Sequence, residues 1–160
     1  MEESTWNAAG RMRLLLQGDQ LTFLVPAEGD AATGVSGSLA GTRRALARGK
    51  LSAPHLEDAI AEVEDLIMPL LRALPARTAL EAHGPELAEV FHLLGACDGA
   101  VVPLAAVESL FDQLVAVTSG SPVAWRHAVP PATVAPGLLL LREVMHHGGF
   151  RSVFWLLQME

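Results

Sequence analysis

Two helical segments carry a glutamate and a histidine three residues apart, Glu89 with His92 and Glu143 with His146. Residues at this spacing share one face of a helix, so each pair can turn a carboxylate and an imidazole toward the same point. With further carboxylates from Glu62 and Glu108 on neighbouring helices, the four residues form the donor set of a dinuclear iron or manganese site, or of a zinc site. Glu143 and His146, at a helix end beside Arg142, are also candidates for acid–base catalysis. The direction of the helices argues the other way. Over residues 85–94 the apolar side is Leu87, Val90, Phe91 and Leu94, and Glu89 and His92 lie away from it. Glu143 and His146 likewise share the polar side of their helix with Arg142. The pattern therefore predicts solvated faces, and a metal-dependent enzyme only if the two motifs converge.

Other groups can do chemistry without a spacing motif. His83 and Gly84 stand at a strand-to-helix junction, the place where open α/β sheets receive ligands, which makes His83 a candidate general base. Arg43, Arg44, Arg48 and Lys50 put four cations within eight positions, a candidate anion site or a basic face that balances the acidic helix after it. Trp125, Arg126 and His127 combine aromatic, cationic and imidazole groups in one loop and suit partner recognition, or else Trp125 plugs the core. Cys97 precedes Asp98, which disfavours a thiolate, so it reads as a small buried hydrophobe. His146 and His147 before Gly148-Gly149 are placed to cap the last carbonyls of a helix.

The elements that must hold these groups follow from periodicity. Met12–Val25 has two alternating runs about Gly18-Asp19 and predicts a hairpin pairing Leu16 with Leu21 and Leu14 with Phe23 on an apolar face. Residues 26–41 are small and polar and predict a flexible loop, followed by a short basic helix that Thr42 caps and Gly49 ends. Ser52, Pro54 and the stripe Leu56, Ile60, Val63, Ile67, Leu70, Leu74 predict the longest helix. Strands over 78–82 and 100–102 alternate with helices over 85–94 and 104–117. A last helix over 133–147 ends at the glycine pair, and 150–157 reads as a terminal strand. The fold class is α+β, an N-terminal hairpin in a small sheet packed by three to four helices. The alternative is a mostly α bundle with the hairpin as an appendage.

Composition bounds the function. One domain is expected for 160 residues, with 51% hydrophobic and 18% charged side chains. The net charge of −7 disfavours nucleic-acid binding, and no apolar run is long enough to span a bilayer. A lone cysteine and a start without a signal-peptide pattern point to the cytoplasm. The apolar surplus and the absence of a convincing catalytic set favour a non-enzymatic interaction or assembly protein, accessory or chaperone-like, working as a homodimer with a possible protein partner and no cofactor. A small metal-dependent or acid–base enzyme, with iron, manganese or zinc on the paired motifs, is the alternative.

Overall fold

The computed structural model of the chain describes residues 10–26, 32–48, 50–75 and 77–157. In chain order it forms β1 (Arg11–Gln17), β2 (Gln20–Pro26), β3 (Ala32–Ser38), α1 (Ala40–Leu46), α2 (Ala53–Arg72), β4 (Ala79–His83), α3 (Pro85–Leu93), β5 (Val101–Pro103), α4 (Leu104–Thr118), α5 (Pro131–Gly148) and β6 (Ser152–Leu156). The α+β class holds, but with a six-stranded sheet and five helices rather than a small sheet and three or four. The strand order is β3-β2-β1-β4-β6-β5. β1, β4 and β6 run parallel at the centre, and the β2–β3 and β5 edges are antiparallel.

The hairpin has the register its alternation demands, Leu14 opposite Phe23 and Leu16 opposite Leu21. That parity carries across the sheet. Met12, Leu14, Leu16, Leu21, Phe23, Leu80, Ala82, Val153 and Trp155 form one face, each at most 3% exposed. The helices cover this face: Phe91 of α3 stacks on Trp155 with ring centroids 4.3 Å apart, and α2 lies over β3, with Leu66 against Gly37. α5 packs across both α2 and α3. The other face carries Arg11, Arg13, Leu15, Thr22 and Leu24, all half-buried, beside the fully buried Glu81 and His83. Much of the apolar content lies in this one core, and Val101, Val123 and Leu157 are the large hydrophobics left exposed among the described residues.

α2 forms where its stripe predicts, with Ser52 Oγ accepting from the His55 amide and Leu56, Val63 and Ile67 fully buried. α5 stops at Gly149, whose φ of +72° is the left-handed conformation a helix end uses. Two expectations fail. Much of the expected loop 26–41 is ordered as β3 and the start of α1, with residues 27–31 outside the described ones. Thr42 does not cap α1 either; the cap position is Leu39, and Thr42 is buried inside the helix. Gly49 and the N-terminal residues that bear on a signal peptide lie outside the described residues. No helix among the described residues is long and apolar enough to cross a membrane.

Candidate functional site

At the carboxyl ends of β1 and β4 the chain turns twice, once into the hairpin and once into α3. The second turn depends on Gly84, whose φ of +119° is closed to most side chains. The two turns are tied together across 68 positions, because the Gly18 amide donates to Glu86 Oε1 in the first turn of α3. Arg43 of α1 closes the arrangement, with Nε paired to Asp19 and Nη2 donating to the Gly18 carbonyl at 3.3 Å. Around these groups opens a cleft of about 410 Å³, lined by Arg43, Pro85, Glu86, Ala88 and Glu89 and floored by Thr133 and Gly137 of α5. Glu86 Oε2 is sealed from solvent and has no hydrogen-bond partner. An oxygen left this way has unused acceptor capacity, which a turn of the side chain toward the cleft makes available. Arg43 Nη1 likewise makes no hydrogen bond among the described residues.

No family model and no curated protein sequence matches this chain. Solved structures do match. An exopolyphosphatase-like protein superimposes with a TM-score of 0.72 at 15% identity, over 93% of this chain and 55% of that one. The Aquifex aeolicus Ppx/GppA phosphatase, in its type II variant, gives 0.69 at 9% identity, over 93% and 54%. An exopolyphosphatase from Cytophaga hutchinsonii gives 0.67 at 16% identity, over 93% and 53%. The chain shares the fold of these phosphatases. It spans about half the length of each, and identities this low speak for the fold alone.

The sequence-derived candidates do not gather into one place. Glu89 and His92 lie exposed on α3, as their direction predicts; Glu89 reaches the cleft, and both line a shallower groove with Asp98, Trp155 and Leu157. Glu143 contradicts the expected solvated face, being 2% exposed. It meets Arg142 and His147 of its own helix and lies close to Glu64 of α2. Arg142 Nη1 donates to Glu143 Oε1 at 2.6 Å, Arg142 Nε donates to Glu108 Oε2 at 3.2 Å, and His146 pairs with Glu108 Oε1. His147 Nε2 stands 3.3 Å from Glu143 Oε2 and 3.5 Å from Glu64 Oε1. Among the described residues the group able to hold a metal is thus Glu64, Glu143 and His147, without Glu89 or His92, so the dinuclear arrangement across the two motifs does not form. The two histidines engage carboxylates instead of capping helix carbonyls. Glu62 is exposed beside Gly41, away from both motifs. Burial alone would raise the Glu108 carboxyl, but the hydrogen bonds and charges of Arg142 and His146 outweigh it and hold it below the usual glutamate range.

His83 does not line the cleft. β4 turns it onto the face away from the helices, where Nε2–H donates to Glu81 Oε1 at 2.6 Å and Nδ1 is buried without a partner. Glu81 also takes Arg11 at 2.9 Å and Arg13 at 3.4 Å. The basic run is dispersed: Arg43 goes to the hairpin turn, Arg48 to Asp58, and Arg44 to a groove shared with Glu62 and Asp65. Lys50 is exposed, and its carbonyl is bonded to His55 Nδ1. Trp125 is half-buried, donates to the Val129 carbonyl and meets His127 edge-on, while His127 bonds Gln113 of α4; Arg126 is exposed. Cys97, expected to be buried, is exposed. Sequence reasoning missed Glu86, although a helix opened by Gly-Pro-Glu after a strand places a carboxylate at this junction.

Proposed function

We propose that this chain is a hydrolase domain that takes a phosphorylated substrate, a phosphoanhydride or phosphoester, into the cleft between the hairpin turn and α3. The observation that carries the reading is the unpartnered Glu86 Oε2, held by the Gly18 contact beside Arg43 at the carboxyl ends of two parallel strands, the position where α/β sheets bind ligands. The solved neighbours are phosphatases or phosphatase-like proteins, which supports this substrate class and an enzyme rather than an accessory protein.

Arg43 Nη1 holds a phosphate oxygen; Glu86, whose Oε2 is closed to solvent in this structure, turns that oxygen into the cleft as substrate binds and takes a proton from water as the water oxygen bonds to phosphorus. The bond from phosphorus to the leaving oxygen breaks, and that oxygen is protonated from solvent. Glu86 and Glu89 against one arginine make the lining net negative, so the substrate enters as its magnesium complex rather than bare. Glu86→Gln keeps an acceptor for the Gly18 amide and removes the base. Phosphate release from polyphosphate and from p-nitrophenyl phosphate, with magnesium, is expected to fall at least tenfold in kcat/KM in this variant. Wild-type release no faster than that of the variant would refute the assignment.

A further inference from the structure

We infer that Glu64, Glu143 and His147 form a binding site for a divalent transition cation of the zinc class, joining α2 to α5 at the end of α5 remote from the cleft. The distances carry the inference. His147 Nε2 faces Glu143 Oε2 at 3.3 Å and Glu64 Oε1 at 3.5 Å, and neither contact is aligned as a hydrogen bond. A tetrahedral ion with bonds of about 2.0–2.2 Å separates its ligands by roughly 3.3–3.5 Å. All three donor atoms lie within 4.8 Å of one another, close enough for small side-chain adjustments to bring them round one ion.

The surroundings fit an ion as well as the distances do. Glu143 is 2% exposed as a residue, and its Oε2 makes no hydrogen bond among the described residues but faces His147 Nε2 at 3.3 Å, so an almost buried side chain turns one carboxylate oxygen into the cluster. Its other oxygen is fixed by Arg142 at 2.6 Å, and Arg142 is itself held by Glu108 and by the Phe111 ring 4.1 Å away. Such an outer layer orients a ligating carboxylate and leaves one oxygen for the metal. Imidazole nitrogen with two carboxylate oxygens suits zinc, cobalt or manganese ahead of the softer thiophilic ions. Side chains of Glu64 and His147 are 44% and 32% exposed, so the fourth corner opens to water and the ion has a way in. His147 is neutral when it ligates, so uptake displaces any proton shared with the carboxylates.

The test uses the full chain, stripped with a chelator and titrated with zinc by calorimetry and with cobalt by its visible absorption. One ion per chain and a tetrahedral cobalt spectrum are expected. Glu64→Gln and His147→Gln should each weaken binding at least tenfold, while His92→Gln and Glu86→Gln bind as wild type. Glu64 is half-exposed, so Glu64→Gln should melt in chelator at the wild-type temperature, which separates lost binding from lost folding. No saturable uptake by the wild type, or equal uptake by Glu64→Gln, overturns the site. Neither result depends on phosphate release, so this inference and the hydrolase reading fail separately.

Discussion

Replacing Gly84 with alanine is expected to cost on the order of 4 kcal/mol, among the larger effects a single substitution has. Two penalties add. The φ of +119° is strained for any residue with a Cβ, and a Cβ built there would lie 2.1 Å from the Leu16 carbonyl oxygen, which is backbone and cannot rotate away. Gly120 separates the two. Its φ is +98°, but nothing lies within 4 Å of its added Cβ, so Gly120→Ala carries only the strain, about 1–2 kcal/mol. At roughly 2–4 °C per kcal/mol for a chain of this size, Tm should fall by about 8–16 °C in Gly84→Ala and by only a few degrees in Gly120→Ala. The same junction seats α3 against the end of β1, so Gly84→Ala should also loosen the Gly18–Glu86 contact and the cleft it shapes. Equal melting shifts in the two variants would refute the close-approach argument.

The parts of the fold visible in the sequence were those with local causes. The hairpin register follows from period-two alternation about a two-residue turn, and α2 follows from a cap, a first-turn proline and a regular stripe. β3 has no such cause: Ala-Thr-Gly-Val-Ser-Gly-Ser is poor in strand formers. It exists because its backbone pairs along the whole of β2, while its glycines admit neighbours a larger side chain would exclude, Leu24 at Gly34 and Leu66 at Gly37. Tertiary pairing overrode propensity.

The candidate site was less legible, for two reasons. α5 is buried on nearly all sides from Val134 to Leu141, so its apolar pattern gives no direction from which to place Glu143. Glu64 of α2, 79 positions away in the chain, stands beside it, a neighbour that local periodicity does not reveal. Glu86 gains meaning only from the Gly18 amide, 68 positions distant, and His83 loses its place at the cleft because strand parity sends it to the opposite face. Residue type and spacing could nominate such groups; only strand order could sort them.

That opposite face supplies the second large effect. Glu81→Ala should destabilise the chain by about 2–3 kcal/mol at pH 7, somewhat under the roughly 3–5 expected for a wholly buried pair, because Arg11 and Arg13 retain partial contact with water. The carboxylate serves His83 and both arginines, and its removal takes the Glu81 contact from all three at a half-buried sheet surface. Burial works to raise the Glu81 carboxyl, but the His83 hydrogen bond and the charges of His83, Arg13 and Arg11 prevail and hold it below its ordinary value. The direction fixes the pH dependence. With the folded value below the unfolded one of about 4.3, the stabilisation is complete above that pH and is lost as pH falls through the folded value. Denaturant midpoints of wild type and Glu81→Gln should therefore differ at pH 7 and converge as pH falls below the ordinary glutamate range and the wild-type carboxyl takes up its proton. Glu108, also held below its usual range, acidifies the baseline of both proteins alike, so the difference between them isolates Glu81. A gap that persists unchanged once that carboxyl is protonated would mean that Glu81 acts through shape and packing rather than through charge.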